Sequence, residues 1–274
     1  MRKRDGHFSG IGNEKLYYRV FAPKTKQKGA VIVVHGIGDH NGGLFTLCKK
    51  LTAKGYKVYA YDLRGHGNST GIRGHINDWA EFREDLHLFI QLVSKKIGAL
   101  PLYLAGHSLG GVIMLDYLVG RGEGLAGAIA IAPVISYEPS WYEKMMIRVM
   151  GKLKPDYLIE QEQGDVQLTK SPDKLDMLRN DSLRHNWVSP GLGRELMRTI
   201  VVIKERADLI EIPFLLQYGQ DDEITPAVEL RDFFERVGSN DKEKKEYPNL
   251  QHRPFDGIDT KQFFDDLNSW LKRH

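Results

Sequence analysis

The pentapeptide Gly106–Gly110 (Gly-His-Ser-Leu-Gly) has the pattern Gly-x-Ser-x-Gly, with Ser108 at its centre. It lies between an apolar run at residues 101–105 and a helix-like run at residues 111–118. The segment therefore predicts a strand, a sharp turn and a helix, with the serine at the turn. A Cβ two residues before or after the serine would collide with the neighbouring strand or helix, which explains the two glycines. A hydroxyl lifted above the sheet in this way is suited to nucleophilic attack.

A serine hydroxyl is a poor nucleophile at neutral pH, so it needs a base and a carboxylate that orients the base. In a strand–turn–helix site of this kind, the acid and then the histidine follow the serine along the chain. Asp222, just after an apolar strand, is predicted as the acid, with Asp221 and Glu138 as rivals. His252 follows the strand near residues 243–247 and is the only histidine between the acid and the last residue. It is therefore predicted as the general base.

The same chemistry needs two N–H donors that face the oxygen on which negative charge develops. One predicted donor is the N–H of Leu109, the residue after the serine, and the other is the N–H of Ile37. Ile37 lies in the loop His35–His40 after an apolar strand, where glycines such as Gly36 let the backbone approach a substrate carbonyl. The two histidines of this loop have no third ligand at metal-site spacing, so no metal is predicted.

Short apolar runs alternate with helical patterns along most of the chain, which predicts a mostly parallel sheet with helices on both faces. The alternation stops between residues 136 and 206, where no good strand is visible. We expect an α/β core of residues 1–135 and 207–274, with residues 136–206 inserted between two strands as a helical lid. A hairpin is expected from residue 8 to 22, further strands near 30–34, 57–61, 101–105, 125–132, 213–219 and 243–247, and helices near 79–97, 109–119, 226–237 and 258–272.

Composition excludes several classes of protein. The chain has 274 residues, 41% of them hydrophobic and 27% charged, as expected for a globular protein with a large core. The net charge of +3 is small and no RNA-binding signature is visible, so no nucleic-acid partner is expected. The single cysteine, Cys48, lies in an apolar helical pattern and is predicted to be a core residue. The N-terminus lacks the pattern of a secretory signal and the longest apolar run, residues 128–135, is too short to cross a bilayer, so a cytoplasmic location is expected.

Taken together, these segments resemble the serine α/β-hydrolases, and within them the monoglyceride lipase and lysophospholipase branch. The segments that carry the resemblance are residues 35–40, 62–69, 106–111, 219–226 and 247–252, together with 168–183 in the lid. The resemblance implies an α/β-hydrolase fold and a cofactor-free hydrolase of lipid-like esters, with a lid that shapes the acyl-chain pocket. The sequence departs from the branch at Asp39, where Glu is usual, and at Gly43 and Leu44, where an Arg-Tyr pair is usual. In the branch these positions lie near the alcohol portion of the ester.

The first part of the lid carries an apolar stripe with basic residues between its members. The stripe consists of Trp141, Tyr142, Met145, Met146, Val149, Met150 and Leu153. Two interpretations are open: the stripe packs over the active-site cleft, or part of it is exposed and makes transient contact with a membrane surface. The residues predicted to contact substrate are Gly36, Asp39, His107, Trp141, Met145, Met146 and Met150.

Other activities use the same three catalytic residues. A thioesterase, an amidase or aminopeptidase, and an acyltransferase are the alternatives within catalysis. A binding protein that has lost turnover is a further alternative, although an intact set of serine, aspartate and histidine argues against it. A purely structural protein would not require these three residues in this order.

Overall fold

The computed structural model describes residues 1–136, 139–161 and 164–274. Its strands are β1 (Arg2–Ser9), β2 (Lys15–Ala22), β3 (Gly29–Val34), β4 (Tyr56–Tyr61), β5 (Leu102–His107), β6 (Gly127–Ile131), β7 (Ile159–Glu160), β8 (Trp187–Val188), β9 (Phe214–Gly219) and β10 (Lys242–Tyr247). Its α-helices are α1 (Phe45–Ala53), α2 (Ala80–Ile97), α3 (Leu109–Arg121), α4 (Trp141–Leu153), α5 (Asp165–Leu168), α6 (Pro172–Arg179), α7 (Pro190–Glu205), α8 (Ala227–Arg236) and α9 (Lys261–Arg273). The predicted α/β architecture is confirmed.

Within the described residues, eight strands form one sheet in the order β1-β2-β4-β3-β5-β6-β9-β10. β2 runs antiparallel to both β1 and β4, whereas every pair from β4 to β10 is parallel. The carboxyl ends of the parallel strands therefore lie along one edge of the sheet. The order of the strands reverses at β3 and β5, and ligands of open α/β sheets bind at such a reversal. The loop after β3 and the turn after β5 both lie at this point.

Both faces of the sheet are covered, which explains why its central strands are apolar throughout. In β3, Ile32 and Val34 belong to a hydrophobic core shared with α2 and α3, and Val31 and Val33 belong to a second core shared with α1 and α9. Successive side chains of a strand point to opposite faces, so both sets must be apolar. Cys48 lies in the second core as predicted, and burial raises the pKa of its thiol to about 12.

The structure differs from the sequence-based expectation in two elements. β1 begins at Arg2 rather than near Phe8, because the charged N-terminus forms an edge strand that pairs with β2 along its length. Charged side chains suit an exposed sheet edge because they discourage pairing with other chains. The second difference is the short antiparallel pair of β7 and β8, which lies in the segment without an expected strand. Two residues are too few to give a periodic pattern.

The stretch predicted to be a helical insertion, residues 136–206, includes helices α4 to α7, which all lie between β6 and β9 in the chain. α4 packs on α7, and α7 packs on α3, the helix that follows Ser108. A boundary between this insertion and a core of residues 1–135 and 207–274 stays a prediction. Among the helices of the described residues, none has both the length and the apolar character needed to cross a bilayer.

Candidate active site

Ser108 occupies a strained turn between β5 and α3. Its φ is 54° and its ψ is −121°, a conformation that residues with a side chain rarely adopt. A Cβ on Gly106 would overlap the carbonyl of Gly110, and a Cβ on Gly110 would overlap the carbonyl of Val34. The two glycines of the pentapeptide are therefore required by close backbone packing, and the serine is held at the N-terminus of α3.

The loop after β3 lies directly against the serine. A Cβ on Gly36 would be 2.9 Å from Cβ and 3.3 Å from Oγ of Ser108. Ile37 and Leu109 line the same cavity as Ser108, and no hydrogen bond among the described residues uses the N–H of either. Two unpaired N–H groups beside a serine hydroxyl are what an oxyanion site requires. Their role in catalysis stays a prediction.

Asp222 and His252, which come from loops after β9 and β10, meet in a buried contact. The distance from His252 Nδ1 to Asp222 Oδ2 is 2.9 Å. The other carboxylate oxygen, Oδ1, accepts the N–H groups of Ile224 at 2.8 Å and Thr225 at 2.9 Å, and the Thr225 hydroxyl also donates to Oδ2. Burial opposes the charged form of Asp222, but His252 and the Thr225 donors outweigh it, so the pKa of the carboxyl lies below its usual value.

This arrangement selects one tautomer of the neutral imidazole. An ionised carboxylate can only accept a hydrogen bond, so His252 Nδ1 carries the ring proton and donates a hydrogen bond to Asp222. The other ring nitrogen, Nε2, is then free to accept a proton. The imidazole thus has the orientation and protonation that a general base needs.

His107, the residue before Ser108, makes a hydrogen bond to His252. His107 Nε2 donates to the backbone carbonyl of His252 at 2.9 Å, and the two rings lie 4.9 Å apart. Within the ranges that the structure describes, no hydrogen bond joins the Ser108 hydroxyl to the His252 ring. Catalytic hydrogen bonds are often long in free enzymes and shorten when substrate binds.

The rival acids are placed differently. Asp221 is exposed, and its carboxylate accepts from Lys170 Nζ at 2.7 Å rather than from an imidazole. Glu138 lies outside the described residues. The structure therefore brings Asp222, and not Asp221, to His252.

Arg253, the residue after His252, is the centre of a buried ion-pair network. Arg253 Nη1 lies 2.6 Å from Asp39 Oδ2, and Arg253 Nη2 lies 2.8 Å from Asp256 Oδ2. Burial opposes ionisation of Asp39, but the attraction of Arg253 outweighs it and holds the pKa of that carboxyl well below its usual range. Asp39, predicted to contact substrate, is thus buried in an ion pair. Sequence reasoning missed Arg253, although its spacing of three residues from Asp256 is a signal for a local pair.

The two histidines of the loop after β3 make hydrogen bonds to neighbouring segments. His35 Nδ1 donates to the carbonyl of Gly36 at 2.7 Å, while its Nε2 accepts the N–H of Leu63 at 2.9 Å. His40 Nε2 lies 2.8 Å from Asp181 Oδ2, in the helical insertion. The first set of bonds joins the loops after β3 and β4, and the second joins the loop to the insertion.

A cavity of about 400 Å³ opens at Ser108, within the size range of small-molecule sites. Much of its wall is apolar and comes from the helical insertion; this part includes Met146, Ile147, Val188, Leu192 and Leu196. A polar part of the wall includes Gln161, Asp165, Gln167, Arg184, His185 and Asn186. The cavity wall therefore combines many apolar side chains with several polar ones, beside the same serine.

Residues of the apolar stripe are divided between the cavity and the surface. Met146 lines the cavity, and its contact with substrate stays a prediction. Trp141 and Met145 are 77% and 51% exposed and are not among the described residues of the cavity wall, and half-buried Met150 is not among them either. The reason is that α4 turns its Ile147 side inward, so Trp141 and Met145 point away from the cavity.

The fold, the strained serine and the buried aspartate–histidine pair together define a serine α/β-hydrolase. A family model described as "Serine aminopeptidase, S33" matches residues 25–258, and the chain belongs to this family. Monoacylglycerol lipase of Mycolicibacterium smegmatis is 30% identical over 97% of this chain and 96% of its own length. Monoglyceride lipase of Rattus norvegicus is 26% identical over 97% of this chain and 89% of its own length.

A solved structure is also similar. The crystal structure of Paleococcus ferrophilus monoacylglycerol lipase is 29% identical and gives a TM-score of 0.84, covering 94% of this chain and 99% of that chain. The predicted place of this chain in the monoglyceride lipase branch of the serine α/β-hydrolases is confirmed.

Proposed function

We propose that this protein hydrolyses lipid-like carboxylic monoesters, of the monoacylglycerol or lysophospholipid type, through an acyl-enzyme on Ser108. The observation that carries the proposal is the mainly apolar cavity that opens on a strained serine beside two unpaired N–H groups. An apolar wall is suited to an acyl chain, and the serine lies where the ester carbonyl of a bound chain can reach it. The names of the M. smegmatis and P. ferrophilus relatives support the same reaction.

The proposed reaction has two halves that use the same groups. His252 Nε2 accepts the Ser108 proton while Oγ attacks the ester carbonyl, and Asp222 stabilises the imidazolium that forms. The N–H groups of Ile37 and Leu109 bind the resulting oxyanion. His252 then donates the proton to the leaving alcohol oxygen, which leaves an acyl-enzyme. A water molecule, activated by His252, hydrolyses the acyl-enzyme and restores the serine.

The helical insertion is proposed to act as a lid that forms the acyl-chain compartment. Met146 and Ile147 of α4, and Leu192 and Leu196 of α7, contribute apolar wall from the insertion. Each CH₂ of a chain buried there is worth about 0.8 kcal/mol, so kcat/KM rises with chain length until the compartment is filled. In this proposal the lid consists of residues 136–206, and the core consists of residues 1–135 and 207–274.

The proposed substrate class is tested with compounds that share one acyl group. We expect wild-type protein to hydrolyse a monoacylglycerol and a lysophospholipid, with kcat/KM that increases from short to medium acyl chains. A thioester and an amino-acid anilide test the thioesterase and aminopeptidase alternatives, and the family description makes the anilide the important comparison. Turnover of the anilide that exceeded turnover of every ester would contradict the proposal. Labelling of Ser108 by a fluorophosphonate tests the alternative of a binding protein, because it requires a reactive serine.

We also propose that α4 makes transient contact with a membrane surface. Its exposed face carries Trp141, Tyr142, Met145, Val149 and Leu153. Lys144, Arg148 and Lys152 lie between these apolar residues. A helix with apolar and basic residues exposed together is suited to the interface of a bilayer that contains anionic lipid.

Leu153→Ser is expected to weaken binding to phosphatidylglycerol-containing vesicles by about 10-fold, since a buried Leu side chain is worth about 1.5–3 kcal/mol. The matched control is Ile258→Ser, because Leu153 is 74% exposed and Ile258, outside the insertion, is 76% exposed. Vesicle co-sedimentation measures both variants. Equal binding by Leu153→Ser, Ile258→Ser and the wild type would contradict a contact through α4.

A further inference from the structure

Arg184 places a cation in the wall of the cavity. Its side chain is half-buried, and its Nη1 atom is buried with no hydrogen-bond partner among the described residues. A guanidinium stays charged at any pH that the protein meets. A buried guanidinium N–H group without an acceptor is costly, and the side chain lines the cavity, so we expect the partner of this cation to be a group that enters the cavity.

Three carboxylates, those of Asp39, Asp165 and Asp181, attract the Arg184 cation, but each already has another partner. Asp39 pairs with Arg253 at 2.6 Å, Asp165 with Arg179 at 3.5 Å and Asp181 with His40 at 2.8 Å. The described structure shows no ion pair between Arg184 and any of them. A second cavity-lining carboxylate, that of Glu143, accepts from Ser140 in the first turn of α4.

Arg184 lies next in sequence to a residue that contacts the loop carrying Ile37. The next residue, His185, donates its N–H to the carbonyl of Gly38 at 3.1 Å. A Cβ on Gly38 would overlap the carbonyl of His185. Arg184 is thus held beside the loop that carries Ile37, and it lines the same cavity as the apolar side chains of Ile147 and Leu192. In the binding mode proposed here, the acyl chain lies against Ile147 and Leu192 and the alcohol portion of the ester lies at Arg184.

We propose that Arg184 binds a negatively charged group on the alcohol portion of the ester, so that the preferred substrate is an anionic monoacyl ester. The inference rests on the proposed ester hydrolysis and names its substrate class. Phosphate and carboxylate share the required chemistry, because a guanidinium donates two parallel hydrogen bonds to either anion. A neutral glycerol head offers hydroxyl acceptors but no negative charge. Hydrogen bonds to charged groups contribute enough to favour the anionic ester by about 10- to 100-fold.

The test compares three esters with the same acyl chain: a 1-acylglycerol, a 1-acylglycerol 3-phosphate and an acyl ester of glyceric acid. The quantity measured is kcat/KM of each anionic ester divided by that of the neutral ester. We expect Arg184→Gln to lower the ratio by about 10- to 100-fold, and Arg184→Lys to retain part of it. Arg198→Gln is the matched control, because it removes a cation from a 65% exposed side chain of the same insertion. A ratio that Arg184→Gln leaves unchanged for both anions would overturn the proposal.

A binding measurement separates this proposal from the proposed reaction. Calorimetry on Ser108→Ala, with and without Arg184→Gln, gives Kd for the phosphate ester and for the neutral ester without turnover. A Kd for the phosphate ester that Arg184→Gln raises about 10-fold or more supports the anion site even if the wild type hydrolyses none of the three esters. In that outcome only the proposed reaction fails. Equal Kd values for the phosphate ester in the two proteins overturn the anion site, whatever the wild type hydrolyses.

Discussion

Ser108→Ala is expected to lower kcat/KM for a medium-chain monoester by at least about 10⁴-fold. The variant has no nucleophile, so no acyl-enzyme forms, while the unpaired N–H groups of Ile37 and Leu109 and the cavity remain. Loss of one small hydroxyl does not remove a core contact, so thermal unfolding is expected to stay close to that of the wild type. Initial rates on purified protein, with the unfolding curve recorded in parallel, measure both effects.

The control for this variant is Ser94→Ala, because Ser94 lies on the exposed side of α2, away from the cavity. It is expected to keep the wild-type rate. A Ser108→Ala protein that retained a tenth of the wild-type kcat/KM would show that another group is the nucleophile.

Asp222→Asn is expected to reduce kcat by about 10⁴-fold. The amides of Ile224 and Thr225 donate to Oδ1 of Asp222, so in the variant the amide oxygen takes that place and the amide NH₂ faces His252 Nδ1. An NH₂ group donates, so the imidazole must present an unprotonated Nδ1 and carry its proton on Nε2. That tautomer cannot accept the Ser108 proton.

The neighbouring aspartate provides a matched control. Asp221→Asn makes the same chemical change one residue away, on a carboxylate that is exposed and paired with Lys170. We expect it to keep kcat within a few-fold of the wild type, because exposed ion pairs contribute little. Stopped assays at saturating substrate compare the two variants. A larger loss of kcat in Asp221→Asn than in Asp222→Asn would show that Asp222 is not the catalytic acid.

The sequence predicts the scaffold of the site well because its signals are local. β3 and β5 are short apolar runs, as required of strands that are covered on both faces. The glycines at 106 and 110 follow from the turn itself, and the order of Ser108, Asp222 and His252 follows from the fold class. Each of these features depends on residues close together in the chain, or on the order of segments.

Features that depend on long-range packing could not be predicted in this way. The stripe of α4 is apolar on both the Met146 side and the Trp141 side, so periodicity alone does not tell which side faces the cavity. Asp39 and Arg253 are 214 positions apart, and only the folded chain brings them together. Arg184 is one of many charged residues in the insertion, and its significance comes from a cavity that several segments form together.

Covalent trapping shows directly whether Ser108 is the nucleophile and whether His252 activates it. Wild-type protein is treated with a long-chain alkyl fluorophosphonate, and the site of the adduct is located by peptide mass spectrometry. We expect one adduct per chain, on Ser108, which forms much more slowly in His252→Gln and is absent in Ser108→Ala. An adduct on a different residue, or labelling of Ser108 at an unchanged rate in His252→Gln, would contradict this expectation.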